Sequence, residues 1–380
     1  MFTSEHPIAA IRARVLVVDD SAFMRRLVSD VIGESGEFDV VGTARDGVHA
    51  VLQVHALNPD IVTLDVDMPG RDGLAALQQI MREAPRPVVM LSAGGVDGGA
   101  EATLRALELG AVEFVRKPSG AISLDLDDVR EQLLEALRAA ACANRETLFA
   151  TSGRGATPTG TMAGHASTPT RQPRVRDERD RRATHVVCVA ASTGGPAALA
   201  QVIPHLPRFS SAAVLIVQHM PPGFTHSLAQ RLDVGARLRV HEAEHETPIL
   251  AGHAYLAPGG FHLRVGTVDG VQCLLLDTAP TLWGVRPAAD HLFTTAAWAF
   301  RDACVGVVLT GMGCDGAAGL FAIRHAGGRG IVQDSASSVI AGMPMAALQH
   351  AGADHILPLN RIADTIASLL EAPAGAELCP

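Results

Sequence analysis

VVCVAASTGGPAALA, residues 186–200, decides how the second half of this chain is read. An apolar run, Val186 to Ala190, has the length of a buried β-strand and leads to two hydroxyls, Ser192 and Thr193. Gly194 and Gly195 allow a sharp turn, Pro196 sets the backbone angle of a first helical turn, and a helix-forming stretch follows. Strand, turn and helix in that order are the repeating unit of a parallel α/β sheet. A hydroxyl at such a turn sits beside the positive end of a helix dipole. The same place suits either a serine nucleophile, whose developing oxyanion would be stabilised there, or a bound phosphate.

The same alternation extends outward in both directions. Residues 184–372 carry further strand candidates at 212–218, 254–258, 262–267, 271–277, 305–311 and 329–334. The segments 185–191, 212–218, 305–311 and 329–334 are expected to form a parallel core. HLRVGTVDGVQCLLLD, 262–277, has VDG between two alternating runs and reads as a hairpin. Residues 11–137 repeat the pattern with strand candidates at 14–20, 38–44, 61–66, 87–93 and 113–118, and with helical stretches such as 23–32 and 73–82. Between the two, residues 138–183 are rich in Gly, Ser, Thr, Pro and Arg and poor in large apolar side chains, the composition of a flexible linker. The fold class expected is α/β, with two doubly wound parallel-sheet domains.

Composition excludes several classes. Hydrophobic residues make up 48% and charged residues 19% of 380, as in globular proteins. No apolar run reaches the roughly 18 residues of a membrane span, and MFTSEHPIAAIRAR lacks the apolar core of a secretory signal. A cytoplasmic protein with no direct membrane insertion is therefore expected. The net charge of -9 argues against nucleic acid as a partner. None of the six cysteines forms a CxxC pair, so neither a structural zinc site nor a disulfide framework is expected.

In the first half, strand candidates end at Asp19-Asp20 and near Asp65, where the reactive groups of open parallel sheets collect. Three carboxylates aimed at one spot repel each other unless a cation joins them, and Mg²⁺ suits carboxylate oxygens completed by water. A carboxylate so held can attack a phosphoryl group, a reaction that needs positioning and charge neutralisation. Ser92 and Lys117, at the ends of the next two strand candidates, would supply a hydroxyl and a cation to the phosphoryl oxygens. Lys117 is the only lysine among 31 basic residues. A compact ammonium on a flexible stem reaches a small phosphoryl group where a planar guanidinium does not substitute cleanly.

In the second half a nucleophilic Ser192 needs a base and an orienting acid. GxGxxG, Walker A and GxSxG patterns are all absent, and this half has no lysine to hold phosphate. Twelve histidines lie here, and position favours His219, which ends the strand candidate 212–218; His262 and His291 occupy less telling places. Asp334, after RGIVQ, competes as the acid on topology alone, but Asp315, in the glycine-rich loop TGMGCDG, is better suited because its glycines permit unusual backbone angles. Gly311 and Gly313 would let that loop present backbone N–H groups to an oxyanion, with the Met312 amide the natural donor.

VLVVDDSAFMRR, VTLDVDMPGRDG, VVMLSA and GAVEFVRKP resemble the receiver domain of two-component response regulators. That resemblance implies a flavodoxin-like fold, phosphorylation of Asp65 by a histidine kinase, and Mg²⁺ held by Asp19, Asp20 and the main-chain carbonyl of Asp67. Ser92, Phe114 and Lys117 then take the switch positions. ASTGGPAAL, IVQHMPPGFTHSLAQRL, YLAPGGFHL, VRPAADHLF, LTGMGCDGAAGL and QDSASSVIAGMPMAA resemble the chemotaxis protein-glutamate methylesterases of the CheB family. This second resemblance implies a Rossmann-like catalytic domain with an added hairpin and a triad of Ser192, His219 and Asp315, with Thr193 and Met312 lining the site. It also implies hydrolysis of glutamate methyl esters, and deamidation of glutamines, on methyl-accepting chemoreceptors. No cofactor is expected for the ester reaction, and phosphorylation of Asp65 is expected to relieve a block on the Ser192 cleft. The same chemistry in a chemosensory pathway that does not control motility is the alternative; a phospho-signalling module that only binds receptors is the rival from another class. The sequence departs from the family pattern at Ala190, at His245-Glu246 and at Ser335, and at no triad position.

Overall fold

The computed structural model describes residues 12–68, 72–92, 99–117, 126–147 and 181–371. Two compact units emerge, Met1–Ser152 and Gly153–Pro380. Most of the section read as a linker, residues 148–180, lies outside the described residues.

In the first unit five strands, β1 (Ala13–Val18), β2 (Phe38–Ala44), β3 (Ile61–Asp65), β4 (Val88–Ser92) and β5 (Glu113–Arg116), form one sheet in the order β2-β1-β3-β4-β5. Every pairing is parallel. β3 and β4 are buried along their whole length, which is why they read as continuous apolar runs. Helices between the strands start at capping residues that the sequence supplies. Ser21 accepts from the Met24 amide, Asp46 from His49 and Asp72 from Ala75, each filling a donor that the first helical turn leaves open. The helix Leu126–Cys142 continues past residue 137, where the sequence pattern fades.

The second unit holds a seven-stranded sheet in the order β14-β13-β12-β6-β7-β9-β8. Its strands are β6 (His185–Ala191), β7 (Ala212–Gln218), β8 (Arg239–Glu242), β9 (His253–Leu256), β12 (Cys304–Val308), β13 (Arg329–Gln333) and β14 (His355–Leu357). All of its pairings are parallel, and the expected core of β6, β7, β12 and β13 sits at its centre. β10 (His262–Val268) and β11 (Val271–Asp277) form the separate antiparallel hairpin. Asp269 and Gly270 turn it with φ of 48° and 77°, the left-handed pair that a two-residue hairpin needs. The chain leaves β6 toward β7 on one side and returns to β12 on the other. Doubly wound sheets place their ligands at such a reversal of strand order, outside the carboxyl ends of the strands. In the first sheet the reversal lies between β1 and β3.

Candidate active site and phosphoryl-acceptor site

Both candidate sites stand at these reversals. At the first, Asp19 follows β1 and Asp65 closes β3, both buried, while Asp20 is exposed. Carboxylate oxygens of the three lie within 4.8 Å of one another. Nζ of Lys117 is 2.7 Å from Oδ2 of Asp19 and 2.7 Å from Oδ2 of Asp65. Burial pushes the Asp65 carboxyl up to about 6; Lys117 pulls against that and the Asp19 charge adds to it. Burial also works against the Lys117 ammonium, but its two carboxylate partners raise it above the ordinary lysine range. A hard divalent cation fits a cluster of three carboxylates that a single ammonium neutralises only in part. The Ser92 hydroxyl is buried without a hydrogen-bond partner among the described residues, Phe114 is buried, and Lys117 donates its amide to the Ser92 carbonyl at 2.8 Å. The side chain of Asp67 is exposed. Gly73 is demanded by space, since a Cβ there would fall 2.0 Å from the carbonyl oxygen of Asp65.

Arg25 belongs to this site and carries no signal in the sequence that separates it from a surface arginine. Its Nη1 donates to the main-chain carbonyls of Asp19 at 2.7 Å and Asp20 at 3.0 Å, tying the acidic turn to the first helix.

At the second reversal Ser192 lies one residue beyond β6, half-buried. Its amide donates to the Thr310 carbonyl at 3.0 Å, and the Gly195 amide donates to its carbonyl at 2.7 Å, which closes the turn. The helix Gly195–Val202 follows, with Gly194 at φ 76° as its cap and Pro196 in its first turn. A side chain on Gly194 would strike Val339 at 2.8 Å. Thr193 is buried, and its carbonyl accepts the Thr310 hydroxyl at 3.0 Å.

His219 follows β7, the neighbour of β6, and its amide donates to the Ala191 carbonyl at 3.1 Å. Nε2 of His219 lies 2.7 Å from Oδ2 of Asp315. With Nε2–H given to that carboxylate, the neutral ring carries its lone pair on Nδ1. Neither Nδ1 nor the Ser192 hydroxyl makes a hydrogen bond to a described residue.

Asp315 is buried and fully paired. Oδ2 also accepts the Ala289 amide at 2.5 Å, and Oδ1 accepts the amides of Asp290 and Gly316, each at 3.0 Å. Ala289 and Asp290 open the helix Ala289–Phe300, so a carboxylate from elsewhere in the chain caps that helix. Burial alone would raise its pKa; the hydrogen bond and charge of His219, with the two helix amides, outweigh it and hold the group below the ordinary aspartate range. Asp290, beside it, shows the opposite balance. Burial and the Asp315 charge raise its pKa, although Trp283 Nε1 and the Gly319 amide donate to it at 2.9 and 2.7 Å.

The alternatives left open by the sequence are engaged elsewhere. Asp334 accepts the amide and hydroxyl of Ser337 at 2.8 and 2.7 Å and closes a turn. His262 is buried with both ring nitrogens used, on the Pro280 carbonyl and the Ala288 amide. In the 311–316 loop Gly311 and Gly313 act differently from one another. Gly313 has the positive φ, 87°, expected of it. Gly311 is required by space, because a Cβ there would lie 2.7 Å from Cβ of Ser192. The Met312 amide donates to no acceptor among the described residues, and its side chain is 42% exposed and outside the core.

One further residue escaped the sequence reading. Gln218, the last residue of β7 and 2% exposed, donates Nε2 to the carbonyls of both Ser192 and His219, each at 3.0 Å. An amide at the end of an apolar strand carries no charge or motif to single it out.

An acid cluster at the switch point of one sheet, and a serine, an imidazole and a carboxylate at that of another, have the layout expected of a response regulator joined to a hydrolase. Comparison with known proteins agrees. The response regulator receiver family matches residues 15–126, and the CheB methylesterase family matches residues 187–366. A protein-glutamate methylesterase/protein-glutamine glutaminase of Pyrococcus abyssi is 42% identical over 97% of this chain and 96% of its own. One of Symbiobacterium thermophilum is 46% identical over 93% of this chain and 96% of its own. The crystal structure of the Thermotoga maritima CheB methylesterase catalytic domain, 40% identical, covers 49% of this chain and 98% of its own with a TM-score of 0.48. The chain belongs to the chemotaxis protein-glutamate methylesterase/protein-glutamine glutaminase family. It is a hydrolase of that family with a response regulator receiver domain. Among the described residues no helix is long and apolar enough to cross a membrane.

Proposed function

We propose that this enzyme hydrolyses glutamate methyl esters, and deamidates glutamines, on the cytoplasmic helices of methyl-accepting chemoreceptors, using Ser192, His219 and Asp315. A phosphoryl group received by Asp65 from a histidine kinase activates it. The observation that carries the reading is the pairing of His219 Nε2 with the fully hydrogen-bonded Asp315, one strand over from a serine placed at the head of a helix.

Each group has a defined task. Asp315 fixes the tautomer, so Nδ1 of His219 faces the reaction as the base. Nδ1 takes the Ser192 proton while Oγ bonds to the ester carbonyl carbon. The charge that develops on the carbonyl oxygen is met by the unpaired Met312 amide, with Thr193 lining the same site. The imidazolium returns its proton to the leaving methoxide, and methanol departs. Water then attacks the acyl-serine by the same proton route and leaves a glutamate carboxylate. A receptor glutamine follows the same path with ammonia as the leaving molecule.

In the receiver, Asp19, Asp20, Asp65 and the Asp67 carbonyl would hold Mg²⁺, which supplies charge neutralisation for phosphoryl transfer. Asp65 offers the attacking oxygen, and Lys117 and the unpaired Ser92 hydroxyl receive the phosphoryl oxygens. The decisive test is methanol release from methylated receptor, with and without a small phosphodonor, by wild type, Ser192→Ala and Asp65→Ala. The reading requires a silent Ser192→Ala and an Asp65→Ala that ignores the phosphodonor. Equal turnover by Ser192→Ala and wild type would reject the triad.

A further inference from the structure

We propose that Gln218 is a positioning residue for the ester reaction, holding nucleophile and base at their working separation. The inference rests on Ser192 and His219 being that nucleophile and base. Ser192 follows β6 and His219 follows β7, so each is the first residue freed from its ladder. β6 and β7 run in register from His185↔Ala212 to Ala191↔Gln218, and there the strand pairing stops. Beyond that point one main-chain bond, from the His219 amide to the Ala191 carbonyl, continues across the gap. The Gln218 side chain supplies the rest. Its single NH₂ group donates to the carbonyl of Ser192 and to the carbonyl of His219, both at 3.0 Å.

These two carbonyls converge on one point in a part-buried place, where two oxygen dipoles repel unless a donor stands between them. The Ser192 carbonyl also holds the Gly195 amide, but the His219 carbonyl has no second donor among the described residues. Removing the amide would leave that oxygen unsatisfied and allow the two loops to move apart. A neutral amide suits the place because it brings two N–H groups without a buried charge.

Two further features show that the chain is built around this amide. Oε1 of Gln218 is buried with no hydrogen-bond partner among the described residues, so the amide cannot be reversed to serve it without aiming that oxygen at the two carbonyls. Gly195 makes room for it, since a Cβ on residue 195 would fall 2.0 Å from Oε1. The orphaned oxygen is the cost of using the other end of the amide as a double donor.

The test uses the full-length enzyme and two substitutions. Gln218→Met keeps length and bulk and deletes both donors. Gln218→Glu donates one hydrogen bond when protonated and repels both carbonyls when ionised. Three quantities are read: kcat and KM for methanol release from methylated receptor, the thermal midpoint, and the rate at which a phosphonofluoridate labels Ser192. A misplacement near 1 Å at a reacting group costs on the order of 100-fold. Gln218→Met is therefore expected to lose roughly ten- to a hundredfold in kcat and in labelling rate, with KM within about twofold. For Gln218→Glu, activity relative to wild type at the same pH should rise as pH falls, because protonation restores one donor. A purely structural role would lower the midpoint and leave that ratio flat. A folded Gln218→Met with wild-type kcat overturns the proposal, and so does a flat ratio if Gln218→Met does not fold. A wild type that resists labelling at Ser192 overturns the triad instead, so the two failures are distinct.

Discussion

Replacing Asp65 by asparagine should make the receiver unit more stable, by an amount set by pH. The folded environment raises this carboxyl from 3.8 to about 6, chiefly through burial. One pKa unit corresponds to about 1.4 kcal/mol, so the difference is worth roughly 3 kcal/mol. Its sign follows from linkage. Asp65 binds its proton more tightly folded than unfolded, so below pH 3.8 both states hold the proton and folding meets no penalty. As pH rises through about 6 the unfolded chain is ionised at no cost while the folded one must carry a buried charge. The penalty is complete above that pH and about half developed near pH 5. Asparagine is isosteric and uncharged, so Asp65→Asn should recover roughly 3 kcal/mol at pH 7.5 and about half of it at pH 5. Hydrogen exchange followed by mass spectrometry on the intact chain reads this locally. Peptides covering Ile61–Asp65 and Val88–Ser92 should exchange roughly 100-fold more slowly in the variant at pH 7.5, compared with wild type at the same pH. Millimolar Mg²⁺ should slow the wild type and leave the variant almost unmoved. A variant that exchanges as fast as wild type at pH 7.5, or gains equally at both pH values, would refute the assignment of a destabilising buried charge.

Other perturbations have defined outcomes. Asp315→Asn keeps the shape but turns an NH₂ group toward one pair of the four donors that now meet the carboxylate; methanol release should fall about 10³–10⁴-fold. Gly311→Ala places a methyl 2.7 Å from Cβ of Ser192 and 2.3 Å from Sδ of Met343, so kcat should fall at least about tenfold while phosphoryl uptake on Asp65 is unchanged. Trp283→Phe keeps an aromatic side chain but loses the indole N–H that meets the buried Asp290. A loss of about 1–3 kcal/mol is expected, read as a thermal midpoint lowered by several degrees.

The strands that carry the sites were legible because both faces of each are covered, leaving long apolar runs with a polar residue at the end. β8 and β14 were not. Each is a short edge strand, RVHE and HIL, and neither shows a run or an alternation long enough to register. The catalytic candidates were legible as residue types in motifs, Asp315 over Asp334 by its glycine-rich loop, but how Asp315 is held was not, because the helix amides of Ala289 and Asp290 lie 25 or more residues away in sequence. Arg25 and Gln218 act through main-chain carbonyls, which every residue possesses. A side chain whose partner is backbone leaves no complementary residue type elsewhere in the sequence to betray it.

Asp65 and Asp315, one at each switch point, are held in opposite ways. Asp65 keeps Oδ2 on a lone ammonium and Oδ1 on one amide at 3.2 Å, and its carboxyl rises to about 6. Asp315 meets four donors and is pushed down. The contrast matches the chemistry proposed for each. A carboxylate that must attack phosphorus needs lone pairs not already spent on fixed donors, and it leaves part of its charge for a cation to neutralise. A carboxylate that orients an imidazole must stay ionised through every step and never move, so its oxygens are saturated by amides that the sheet and a helix end hold in place. Exchanging the two environments would therefore disable both reactions without changing a single functional side chain.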